Sequence, residues 1–118
     1  MTTTKFSPGD LEGTFIASRS AAANYTSPAF ECGAAQEVSL QLIWATADHA
    51  DATAEIWGSV DGTNFEPFAD ASYTLATAAG NHIWKVLLGS IPYIQLVFVK
   101  GSNTTGTFSV LYRREMPV

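Results

Sequence analysis

Residues 55–70, EIWGSVDGTNFEPFAD, join two strand-like runs through the turn Asp61-Gly62-Thr63-Asn64. Asp-Gly is a strong hairpin signal, because the tight turn it favours needs positive φ at both central positions. Ahead of the turn, Ile56, Gly58 and Val60 recur at every second position, the spacing that places them on one face of a strand. Trp57 falls on the other face, between Glu55 and Ser59, and its burial has to come from something other than that face's own polar neighbours.

The same period of two continues outward in both directions. EVSLQLIWAT puts Val38, Leu40, Leu42 and Trp44 on one side, NHIWKVLL puts Trp84, Val86 and Leu88, PYIQLVFVK puts Ile94, Leu96 and Phe98, and GTFSVLYRR puts Phe108, Val110 and Tyr112. No stretch keeps the i, i+3, i+4, i+7 pattern of an amphipathic helix, so the chain reads as all-β. GTFIASR and the YTSPAFE region are weaker strands, the second interrupted by Pro28, which confines it to an edge or a bulge. Turn chemistry at Asp48-His49-Ala50-Asp51, Asp61-Gly62-Thr63-Asn64, Ala79-Gly80-Asn81 and Gly101-Ser102-Asn103 separates the runs. About seven or eight short strands at this spacing predict a β-sandwich, with the jelly roll as one connectivity that suits it. Residues 1–12 read as an extended N-terminal arm, with Thr4, Lys5, Phe6 and Leu11 as its anchoring residues, and residues 13–118 as a single sandwich domain.

If these apolar sets are the interior, the opposite face should be polar, and Ser39, Gln41, Glu55, Ser59, Lys85, Gln95, Ser109 and Arg113 satisfy that. Ile43, Trp57, Val97, Val99 and Leu111 do not, and they are the candidate surface for contact with a partner subunit. Two other readings stay open: loops or the arm cover these residues within one chain, or the register slips by one at a bulge.

Composition narrows the function. The 118 residues are 47 % hydrophobic and 12 % aromatic, enough for a real core in one domain, while 14 % charged is low against the ~25 % of soluble domains. A net charge of −5 has the wrong sign for tracking a phosphate backbone, so nucleic acid is not an expected partner. The charge is uneven: residues 10–70 carry ten acids and the single base Arg19, whereas residues 71–118 carry four bases and one acid. One cysteine, Cys32, excludes an intrachain disulfide framework. MTTTKFSPG lacks the apolar core of a signal peptide and no 18-residue apolar run occurs, so the expectation is synthesis in a cytoplasm and no membrane partner.

Catalytic signatures are missing at every point where one would show. His49 and His82 lack the close spacing of a metal-ligand pair, no Gly-x-Ser-x-Gly elbow or glycine-rich nucleotide loop occurs, and nothing places a base beside Cys32. The Asp48–Asp51 and Asp61–Asn64 turns offer oxygens to a hard cation, but neither matches a calcium loop and both are sufficient as solvated turns. The expectation is a non-enzymatic protein without cofactor or metal. Trp57, or Tyr73 with Tyr93, would stack on sugar rings if exposed, which makes a carbohydrate-binding accessory module the alternative from a different class.

Over residues 37–114 the chain resembles small structural proteins of tailed bacteriophages, through the strand ending Ser59-x-Asp61-Gly62-Thr63-Asn64-Phe65, the Tyr93-Ile94-x-Leu96 strand and the closing Gly106-Thr107 hairpin. Discoidin-like sandwiches share part of this pattern, but the chain lacks their bracketing cysteine pair and has Gln95 where an arginine is frequent. The resemblance implies a virion component made in the host bacterial cytoplasm, a capsid decoration or cementing protein that binds the major capsid protein at capsomer junctions or symmetry axes. By the same analogy it implies a homotrimer, and it leaves a tail or baseplate adaptor within the same class.

Overall fold

The alternation read from the sequence builds strands throughout the computed structural model, which describes residues 3–5, 12–32 and 37–115. Among the described residues there are ten strands and no helix: β1 (Thr3–Lys5), β2 (Glu12–Ser20), β3 (Tyr25–Thr26), β4 (Ala29–Glu31), β5 (Glu37–Ala45), β6 (Thr53–Ser59), β7 (Glu66–Thr74), β8 (Gly80–Leu87), β9 (Tyr93–Val99) and β10 (Thr107–Glu115). Seven are long and three are short. Pro28, with no N–H to give a ladder, separates β3 from β4; both pair with β9, and β4 is also paired with β1 on its other side.

The strands form two sheets, β1-β4-β9-β6-β7 with β3 also on β9, and β2-β10-β5-β8. All pairings are antiparallel except β1 with β4. The pairs β6–β7, β5–β8, β4–β9 and β2–β10 are nested in sequence and alternate between the sheets. A two-stranded ribbon with the β6–β7 hairpin at its tip, rolled up in this way, is a jelly roll.

The inward positions read from the sequence meet between the sheets. Val38, Leu40, Leu42, Ile56, Ile94, Leu96, Phe98, Phe108 and Val110 are all buried. Two stacked pairs tie sheet to sheet, Phe98 on Phe108 with ring centroids 4.2 Å apart and Phe15 on Phe30 at 4.1 Å. Each fully buried side chain of this size contributes roughly 1.5–3 kcal/mol relative to exposure.

Several expectations are corrected. Val60 is 72 % exposed, because β6 ends one residue earlier, where Ser59 turns inward and its hydroxyl donates to Asp61 at 2.8 Å and accepts from the Gly62 amide at 3.0 Å. Ser59 and Gln95 are therefore buried polar residues and not part of a solvated face; Gln95 donates to the Ser27 carbonyl at 3.3 Å. The β6–β7 connection is a six-residue loop, Val60 to Phe65, in which Gly62 alone has positive φ, at 76°. On β7, Phe68 to Ala71 stand opposite Ile56 alone, a wide bulge that holds Asp70 at φ 60°. The turn expected at Ala79-Gly80-Asn81 lies earlier: Gly80 begins β8 opposite Trp44, where an added Cβ would come within 3.0 Å of the indole.

Phe98→Ala removes one ring of the central stack and should lower the unfolding free energy by about 3–5 kcal/mol, read from urea denaturation. A change below 1 kcal/mol would mean that the two sheets do not depend on this contact.

Candidate functional site

The outer face of the four-stranded sheet collects most of the apolar surface that the fold leaves in water. On β5, Val38, Leu40, Leu42 and Trp44 point into the core, so Ser39, Gln41 and Ile43 point out. Register then lines up Thr14, Leu111, Gln41 and Ile83 in one row across β2, β10, β5 and β8. The row on one side holds Arg113, Ser39 and Lys85, and that on the other holds Ser109, Ile43 and Asn81. Six large hydrophobic residues are exposed among the described residues, and four of them, Ile43, Ile83, Leu87 and Leu111, lie on this face. Ile83 is 57 % and Leu87 75 % exposed. A groove of about 460 Å³ crosses the strands between Glu12, Arg113 and Ser39 on one side and Leu111, Gln41 and Ile83 on the other.

Charges stand around this centre. Arg113 lies 4.0 Å from Glu12 and Lys85 3.6 Å from Glu37. Arg113–Glu12 is exposed on both sides and contributes at most about 1 kcal/mol, whereas in Lys85–Glu37 the lysine is exposed and Glu37 mostly covered.

The five residues expected to form one contact surface fall on two. Ile43 and Leu111 belong to the face just described, while Trp57, Val97 and Val99 face outward from the six-stranded sheet, on the opposite side of the sandwich. Trp57 is half-buried between its cross-strand partners Pro67 and Gln95, and among the described residues its Nε1 has no hydrogen-bond acceptor. Ile83 and Leu87 are the residues that sequence reasoning missed, although NHIWKVLL carries the signal: they occupy the positions alternating with Trp84, Val86 and Leu88. Thr4 and Lys5 sit in β1, in parallel register with Phe30 and Glu31. Phe6 and Leu11 lie outside the described residues.

The acidic turns are occupied by their own loops. Asp61 Oδ1 accepts from the Thr63 and Asn64 amides, each at 2.8 Å, and Oδ2 accepts from Asn64 Nδ2 at 2.8 Å. The predicted turn residues Asp61 and Gly62 thus form an Asx-type turn, with the carboxylate as its centre. Asp48 accepts from the amide of Thr104 at 2.8 Å and from its hydroxyl, and Asp51 accepts from the amide and hydroxyl of Ser102 at 2.9 and 2.7 Å. Between them the His49 amide donates to the buried Asn103 Oδ1 at 2.8 Å, so the β5–β6 and β9–β10 loops are locked together. Among the described residues no group of three or more His, Cys, Asp or Glu side chains is placed to hold a metal ion. Cys32 is fully buried, and desolvation pushes its thiol up to about 12 against the opposing pull of Arg114.

The aromatic residues are committed to packing. Tyr73 stacks on His82 at 3.9 Å, with Trp44 and Trp84 against the pair, where β7 and β8 bridge the two sheets. Tyr93 lies against the Gly62 backbone, where an added Cβ would meet its ring at 3.4 Å. Tyr73 and Tyr93 do not come together, and no Phe, Trp or Tyr among the described residues is exposed. Trp57, Phe65, Phe68, Tyr73 and Tyr93 are only partly buried, and Phe65 and Phe68 line a pocket of about 760 Å³ with Gly58, Asp61 and Ile91.

No protein family matches the chain, and no curated protein matches it in sequence. Among solved structures, the SPBc2 prophage-derived protein YomS is similar with a TM-score of 0.61 and 13 % identity, over 88 % of this chain and 93 % of that one. The PBSX exported protein XepA is similar with a TM-score of 0.61 and 18 % identity, over 91 % of this chain; the matched part is 37 % of XepA. At such identities the likeness is one of fold.

The loop carboxylates set the response to acid. Thr104 and then His49 hold Asp48 below the usual carboxylate range, Ser102 does so for Asp51, and Asn64, Thr63 and Ser59 do so for Asp61. A carboxylate with a lowered folded-state pKa contributes stability that is in place above its unfolded value, about 3.9, and is lost as pH falls through the folded value. His82, pushed down by burial, acts in the same direction from about pH 6.5 downward. The melting temperature should therefore fall between pH 7 and pH 3. Asp48→Asn should melt below the wild type at pH 7, and the difference should begin to shrink only below about pH 4 and narrow further toward pH 2; parallel curves down to pH 2 would assign the acid sensitivity to other groups.

Proposed function

We propose that the chain is a non-enzymatic structural protein of a phage particle and that it decorates the head, binding the major capsid protein at capsomer junctions or symmetry axes. The observation that supports this reading is the apolar row on the four-stranded sheet, because Ile43, Ile83, Leu87 and Leu111 exposed together on one face suit a protein that works in an assembly, whether the face meets the capsid or another copy. The jelly-roll likeness to two prophage-encoded proteins supports phage origin, and the resemblance carried by Ser59 to Phe65 and Tyr93 to Leu96 points the same way. The acidic loops support a structural role, since their carboxylates are spent on fixing the loops. Decoration suits a small face, because many copies side by side gain avidity from individually weak contacts.

The test is co-sedimentation. In gradient-purified particles from the strain that carries this gene, the chain should be present in many copies per particle and remain with the heads after the tails are sheared off. Absence from purified particles overturns the phage reading, and recovery with the tails alone replaces decoration by an adaptor role.

A further inference from the structure

We infer that the outer face of the four-stranded sheet binds a second copy of the same chain, face to face about a two-fold axis that crosses the strands along the row Thr14, Leu111, Gln41, Ile83. This rests on, and deepens, the reading of the chain as an assembly protein by naming what covers its apolar face. The register determines which groups meet. Residues on the axis face their own counterparts, so Leu111 meets Leu111 and Ile83 meets Ile83. One row out, Arg113 faces Ser109 of the second copy, Lys85 faces Asn81, and Ser39 faces Ile43. Ser39 lines the groove, so the Ile43 side chain of the second copy stands over its mouth. In the outermost rows Glu115 faces Thr107 and Glu37 faces Ala45.

No like charges meet in this arrangement, and that is what selects the axis. A two-fold axis running along the strands instead would place β10 over β5 at each level and set Glu115 against Glu37 of the other copy. Leu111 and Ile83 lie on the axis and Ile43 one row out, the pairs Arg113–Glu12 and Lys85–Glu37 flank them, and Leu87 lies at the margin in the Glu37 row. Area is sufficient: four strands at ~4.8 Å spacing and nine residues at ~3.3 Å rise give roughly 600 Å² per copy. The total of roughly 1,200 Å² lies at the lower bound of stable specific interfaces, so the dimer should form reversibly with concentration. The other sheet offers no equivalent surface, since Pro67 and the Asp70 bulge break the regularity of β7, and Trp57 and Val97 are already half-covered.

Sedimentation equilibrium over a wide concentration range should show a species of twice the 12.6 kDa protomer mass. Ile83→Lys, at a position exposed in the single chain, should leave the circular dichroism and the cooperative melt unchanged while weakening the dimer by about tenfold or more. Val99→Lys, on the opposite face, should leave association unchanged. A short bismaleimide should join two Gln41→Cys chains, because that position lies on the axis, while Cys32 is buried and unreactive. A monomer at every concentration, a closed trimer, or a dimer indifferent to Ile83→Lys overturns the proposal; a monomer whose Ile83 face is protected only on particles overturns it in favour of the capsid protein. Particle occupancy and dimerisation are read separately, so a dimer missing from particles removes the phage reading alone, and a monomer present on particles removes the second copy alone.

Discussion

Of the seven long strands, only β6 and β7 meet through a short connection, and every other long-strand pairing joins segments further apart in the chain. The cost of closing a loop rises with the logarithm of its length, so β5–β8 and β2–β10 are unfavourable to form alone and much easier once the hairpin inside them has closed. The Asp61 carboxylate, gathering two backbone amides and two side chains, is what holds that hairpin's loop. A fold of nested non-local pairs is slow to assemble but leaves each sheet with neighbours on both sides of its central strands.

The opposite end of the sandwich is held by the same chemistry in a different geometry. Asp48 and Asp51 each bind a hydroxyl and an amide of the β9–β10 loop, and Asn103 is buried between them. Carboxylates that a reader of the sequence would test as metal ligands are thus accounted for by loop closure. What the molecule leaves unaccounted for is apolar: one sheet face, with a groove across it. Four of the six large hydrophobic residues exposed among the described residues lie on that face.

The sheet periods made the fold legible. Alternation in β5, β8, β9 and β10 identified the buried residues correctly, and Pro28 marked the break in the edge strand. Failures came where a side chain competes with the backbone pattern. Val60 continues the alternation of Ile56 and Gly58, but the Ser59–Asp61–Gly62 hydrogen bonds end the strand before it. Gln95 looks like a solvent-facing residue until the Ser27 carbonyl is found beside it. Gly80 reads as a turn residue, whereas it begins β8 packed against the Trp44 indole, where a Cβ would be in tight contact at 3.0 Å. The exposed apolar positions were half legible: Ile43 and Leu111 were read as outward-facing and are, but period two assigns residues to an outside without saying which sheet's outside it is. That needs the strand order, and strand order depends on pairings between segments far apart in sequence.

The buried state of Cys32 bears on where such a protein can live. A thiol with its pKa pushed to about 12 carries almost no thiolate at neutral pH and presents no atom to an oxidant, a glutathione molecule or another chain's cysteine. With no other cysteine in its 118 residues, the covalent structure of the folded protein is the same in a reducing cell interior and in the oxidising medium outside it. The fold therefore owes none of its stability to an intrachain disulfide, and that follows from the presence of one shielded sulfur atom.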